Sequence, residues 1–106
     1  MLIEDAMALL RTNALPGLSE IYGGAVDLID EGIEEYRWGW AFYVGATAPT
    51  ECTSPYGDIV VAVILDRESG RFTDASPSTL RFEIERFLQV LGRQVQREDL
   101  IPVIRV

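Results

Sequence analysis

The 106-residue sequence has no histidine and no lysine; its nine basic residues are all arginine. Without histidine no Ser-His-Asp or Cys-His nucleophile set can form. Without lysine the phosphate-binding loop of nucleotide hydrolases cannot be completed, so "YGG" at 22–24 is no phosphate cradle. Cys52 is the only cysteine, which excludes an internal disulfide; with no histidine to activate it, it reads as a loop thiol. No apolar run approaches the roughly 20 residues of a membrane-crossing helix. The longest, "IVVAVIL" at 59–65, has the length of a strand. The opening "MLIEDAMALL" carries Glu4 and Asp5 where a secretory leader carries basic residues, so a cytoplasmic protein is expected. The densest carboxylate run, "DEGIEE" at 30–35, lacks the alternating ligands of a calcium loop. Neither a metal nor a cofactor is expected, and no enzymatic activity.

What the chain does have is acid and aromatic surface. Its net charge is −8. Residues 1–35 hold Glu4, Asp5, Glu20, Asp27, Asp30, Glu31, Glu34 and Glu35 against Arg11 alone, while the rest of the chain is close to balanced. Phosphate contacts dominate nucleic-acid binding, so an acidic chain is a poor candidate for it. A basic protein is a better partner, because complementary fields speed encounter. The stretch "EYRWGWAFYVGA" at 35–46 packs Tyr36, Trp38, Trp40, Phe42 and Tyr43 together.

A single domain spanning residues 1–106 is expected. Residues 2–12 place Leu2, Ile3, Ala6, Met7, Leu9 and Leu10 on one helical stripe, and "NALPG" at 13–17 breaks it. Residues 25–30 alternate weakly as a strand, and "DEG" at 30–32 reads as a turn or a bulge. Along 36–45, Trp38, Trp40, Phe42 and Val44 share one face of a strand; Arg37, Gly39, Ala41, Tyr43 and Gly45 share the other. Gly39 marks a bulge or a close approach by another group. A loop at 46–58 leads to the strand 59–66, which is apolar on both faces. "DRESG" at 66–70 is a hairpin turn, "RFTDA" at 71–75 a short return strand, and "SPSTLRFEIERFLQVLG" at 76–92 a helix with Ser76 and Pro77 at its start and Phe82 off its apolar stripe. The tail 99–106 suits a last strand, confined to a sheet edge by Pro102.

The order α-β-β-β-β-α, with a possible terminal β, points to an α+β two-layer domain: an antiparallel sheet of four or five strands with two helices on one face. Two helices cover one face, yet the strand 59–65 is apolar on both. The second face, carrying Val60, Ala62 and Ile64, therefore needs the 46–58 loop, a second copy or a binding partner. The acids Asp27, Asp30, Glu31, Glu34 and Glu35 run directly into the aromatic strand. Tyr36 and Tyr43, ringed by those acids, are candidate anchors for a basic partner. Two other readings stay open: a structural or chaperone-like homodimer, and a small-molecule-binding domain.

The motif "GWAFY" inside "EYRWGWAFYV" (35–44), the strand-and-hairpin "ILDRESGRF" (64–72) and the serine/proline-started helix "SPSTLRFEIERFL" (76–88), in that order, resemble the immunity protein 35 family, which shares its domain with YrhB-type proteins. The resemblance covers about residues 3–90. It implies a small bacterial α+β protein of polymorphic toxin systems that binds and blocks a cognate toxin. It supplies no catalytic residues; Gly39, Trp40, Phe42, Tyr43, Asp66 and Gly70 match its motifs as fold-defining positions.

Overall fold

A computed structural model describes residues 1–46 and 59–105, with only the backbone at Glu31, Val60, Ile104 and Arg105. The elements run α1 (Ile3–Asn13), α2 (Leu15–Tyr22), β1 (Val26–Glu35), β2 (Gly39–Ala46), β3 (Ile59–Asp66), β4 (Phe72–Ala75), α3 (Leu80–Val90) and β5 (Ile104–Arg105). Short 3₁₀ turns at Pro77–Thr79 and Arg97–Leu100 bracket α3. The strands form one antiparallel sheet in the order β4-β3-β2-β1-β5. The α+β class and the antiparallel sheet are as the sequence predicts; of the four or five strands expected there are five, with the tail strand at an edge.

The layering differs. Alternate residues of the central strands face opposite sides. Trp40, Phe42, Val44, Val61, Val63 and Leu65 pack with Ala6, Leu10, Ala14, Leu15 and Leu18 of α1 and α2. Ala41, Ala62 and Ile64 pack with Leu80, Ile84, Phe87 and Leu88 of α3. The expectation of both helices on one face is therefore corrected: the helices cover both faces, in three layers. The two-sided apolarity of β3 is explained from within the chain.

Three local features set this geometry. First, "NALPG" does not end the helical segment. A new helix begins at Leu15 with Pro16 in its first turn, where a missing N–H costs nothing. Second, "DEG" is a bulge. Ile29 of β1 faces Tyr43 and Glu34 faces Ala41, so Asp30 to Ile33 stand opposite Phe42 alone. Gly32 takes φ +83° there, and Ile33 is turned into the α1–α2 core. Third, β2 starts at Gly39, not at residue 36. Tyr36 and Gly39 exchange backbone hydrogen bonds across a two-residue loop, Arg37-Trp38. A Cβ on Gly39 would lie 2.0 Å from the Leu65 carbonyl oxygen, so the close approach read from the sequence is real and only glycine fits. Because Trp38 sits in the loop, alternation does not govern it. It packs with the α3 side, not with Trp40 and Phe42 as predicted.

Candidate functional site

The aromatic hairpin is the centre of the molecule. Trp40 and Phe42, 6.3 Å apart, lie under α1 and α2. Tyr36 and Trp38 stack at 5.1 Å under α3, and Trp38 meets Phe87 edge-on at 6.4 Å. All four rings are buried, and Tyr43 is half-buried. The ring surface is core, as their combined area in so small a domain requires.

The acids beside it do not form one surface. Glu34 and Glu35 are neighbours in β1 and point to opposite faces. Glu34 accepts hydrogen bonds from the Tyr36 hydroxyl at 2.6 Å and the Tyr43 hydroxyl at 3.4 Å. Glu35 accepts from the Trp40 indole at 3.3 Å and pairs with Arg67 at 3.5 Å. The Arg67 guanidinium lies 4.6 Å from the centre of the Trp40 ring. Both carboxylates thus serve the polar ends of core rings. Tyr36, at 3% exposure, is not a surface anchor; that expectation is corrected. Asp27 and Asp30 are exposed, Asp27 with Arg11 at 3.3 Å. The Glu31 side chain and Cys52 lie outside the described residues. The expected partner face on β3 is also corrected: Ala62 and Ile64 are fully buried by the chain's own α3, and the Val60 side chain lies outside the described residues.

In residues 1–30 the structure leaves outward an acidic set that keeps Asp27 and Asp30 of the expected run. Glu4 and Asp5 on α1, Glu20 on α2, and Asp27 and Asp30 on β1 are all exposed. The chain after β4 is nearly neutral: residues 76–106 hold Glu83, Glu85, Glu98 and Asp99 against Arg81, Arg86, Arg93, Arg97 and Arg105.

Two carboxylates missed as sites are bound tightly. Asp66 is wholly buried at the start of the β3–β4 turn. Its Oδ2 accepts from the Ser69 amide at 2.9 Å, the Ser69 hydroxyl at 2.6 Å and Arg93 Nη2 at 2.9 Å, while Arg93 Nη1 faces Oδ1. Arg93 also reaches Glu68 at 2.9 Å. Burial pushes the Asp66 carboxyl up, but the Ser69 and Arg93 contacts outweigh it and hold it below the usual carboxylate range. Asp99 is similar. Burial raises its pKa; the Gln96 amide and the Arg37 guanidinium, at 2.8 and 2.9 Å, pull it lower. Its backbone carbonyl accepts the Trp38 indole N–H at 2.8 Å. The spacing of "DRESG" signals the Asp66–Ser69 turn; nothing local signals Arg93 or Asp99.

Two open grooves flank β4. One, of about 410 Å³, runs along α3 past Arg71, Thr73, Glu83, Arg86 and Val90. The other, of about 170 Å³, lies beside α2 at Leu18, Ile21, Phe72 and Asp74. Among the described residues no group of three or more His, Cys, Asp or Glu side chains could hold a metal ion, and no helix is long and apolar enough to cross a membrane. Compared with protein-family models, curated proteins and solved structures, the chain matches none.

Proposed function

We propose that this chain is a non-enzymatic, cytoplasmic protein-binding domain that blocks a basic partner by occlusion, in the immunity role that its resemblance to the immunity protein 35 family implies. The observation that supports this is the exposed acidic charge of the first thirty residues. Glu4, Asp5, Glu20, Asp27 and Asp30 project from the α1–α2–β1 layer, with Arg11 as the one basic residue of that segment. They stand on regular elements with a sealed core behind them. A surface so held keeps its field fixed, which favours fast encounter and register with a positive partner. Glu34 and Glu35 contribute to the field but are tied to Tyr36, Tyr43, Trp40 and Arg67. The contacting acids are therefore the outward ones.

Co-expression with the polypeptide encoded beside its own gene tests this. A toxic neighbour should be neutralised, and the two should co-purify as a one-to-one complex. Reversing Glu4, Glu20 and Asp30 to lysine should weaken that complex about tenfold or more at low salt. The thermal unfolding midpoint should hardly change, because exposed substitutions away from packed features usually cost under about 0.5 kcal/mol. Absence of any complex, or an affinity indifferent to both the triple reversal and salt, would overturn the proposal.

A further inference from the structure

We infer that two copies of this chain pair through the outer edge of β4, joining their sheets across a two-fold axis at Thr73. This goes beyond the toxin-binding proposal and uses a different surface.

β4 ends the sheet, and among the described residues no strand pairs with its outer edge. The Asp66 amide donates to the Arg71 carbonyl at 2.8 Å. Arg71 thus turns its backbone groups inward, toward β3. Alternation along an antiparallel ladder then turns Thr73 and Ala75 inward and leaves the N–H and C=O of Phe72 and Asp74 facing out. Shortness and charge commonly protect such an edge, but this one has apolar flanks. Phe72 is 36% exposed, and Ile21 and Val90 are each 73% exposed.

The charges along the edge identify the occupant. On the α3 face Arg71 stands just before β4, whereas Glu83 stands near its other end, where its carboxylate accepts from the Ser76 amide; Arg86 lines the same groove. Antiparallel pairing of this edge with itself brings the start of one strand beside the end of the other. With Thr73 opposite Thr73, Phe72 of each copy faces Asp74 of the other, and their outward N–H and C=O groups exchange hydrogen bonds on each side of the axis. Arg71 of each copy comes opposite Ala75 of the other, on the α3 face of the sheet and toward Glu83. Phe72 comes opposite Asp74 on the other face, in the groove that Ile21 lines. One register therefore satisfies the open backbone groups, brings each Arg71 toward the Glu83 of the other copy and sets each Phe72 against the other strand. A two-fold interface requires this self-complementarity. An unrelated extended segment would have no reason to match the reversed order of charge.

Sedimentation velocity across the micromolar range should show a reversible dimer at low salt. Asp74→Pro removes an outward N–H while leaving the β3–β4 ladder intact, and should weaken dimerisation about tenfold or more with an unchanged far-ultraviolet circular dichroism spectrum. Arg71→Glu should also weaken it, and adding Glu83→Arg should restore it in part. Thr73→Cys in a Cys52→Ser background leaves every backbone donor in place. On oxidation it should give a symmetric disulfide dimer, because facing side chains there have Cβ atoms about 5 Å apart; Phe82→Cys in the same background should not. A chain that stays monomeric at every concentration, or a Thr73→Cys variant that cross-links no faster than the Phe82→Cys control, would overturn the inference.

Discussion

On the α1–α2 face of the sheet, Trp40 and Phe42 are enclosed by Ala6, Leu10, Leu15 and Leu18 and by the aliphatic residues of β2 and β3. On the α3 face, Tyr36 and Trp38 pack with Leu80, Ile84, Phe87 and Leu88 and also hold polar contacts. The Tyr36 hydroxyl is on Glu34, the Trp38 indole N–H is on the Asp99 carbonyl, and Arg37 closes over Asp99. Small residues on that face, Ala41, Ala62 and Ala75, receive α3. The first core is closed chiefly by volume, with one long handle where the Trp40 indole meets Glu35 at 3.3 Å; the second relies more on handles, at 2.6 and 2.8 Å. A volume seal loses energy in proportion to what is removed. A handle loses about the worth of a hydrogen bond and leaves the ring in place.

Trp40→Ala tests the volume seal and carries the largest expected effect. Trp40 is 2% exposed, and its removal leaves a cavity between sheet and helices and strips Arg67 of its aromatic contact. Urea unfolding should show a loss of about 3–5 kcal/mol. A loss under about 1 kcal/mol would mean that α1 and α2 collapse into the space, and the contrast between the two faces would fail.

Asp66→Asn comes next and probes the junction where the β3–β4 turn meets the segment after α3. Removing one partner of a buried ion pair costs roughly 3–5 kcal/mol; Arg93 is partly exposed, so about 2–3 kcal/mol is expected. The pH dependence has a definite sign. Asp66 and Asp99 are held below the ordinary carboxylate value of 3.8 in the folded chain. Each therefore adds stability that is fully present above that value and is lost as the pH falls through the lower folded one. Stability of the wild-type chain should fall steeply below about pH 4, and Asp66→Asn should flatten that fall. An identical acid profile in the variant would show that Asp66 is not a main titrating group.

Much of this was legible in the sequence where the cause was local. Gly39 announced a close approach, Gly70 a turn, and the alternation of Trp40, Phe42 and Val44 a buried face. The two-sided apolarity of 59–65 announced a second cover without naming it; the alanines at 41, 62 and 75 are what mark that cover as a closely seated helix. Pro16 read as a breaker because a proline in a helix's first turn looks the same in sequence as one that ends a helix. Trp38 escapes the alternation because a two-residue loop interrupts the period of two. The acids escape the local pattern for a different reason. Whether Glu34 faces a partner or Tyr36 and Tyr43 depends on the bulge at Asp30–Ile33, which shifts the register by amounts no short pattern specifies. Arg93, 27 residues from Asp66, and Asp99, 61 from Trp38, are set by the path of the tail after α3.

Trp38→Phe isolates a handle and carries the smallest of these effects. Phenylalanine keeps most of the ring area against Tyr36 and Phe87 but loses the N–H that Asp99 accepts. Because the acceptor is a backbone carbonyl near the surface of the Arg97–Leu100 turn, water can replace the lost donor, and the global cost should be about 1 kcal/mol. The local cost should be larger. The tail is anchored by this bond, by Arg37 on Asp99 and by the Val103 amide on the Glu35 carbonyl at 2.7 Å. Hydrogen exchange at Val103 and in β5 should therefore accelerate in Trp38→Phe while exchange in β2 and β3 stays near wild-type. Uniform acceleration across the sheet would mean that Trp38 stabilises as Trp40 does, by filling space, and that the two faces are closed in the same way after all.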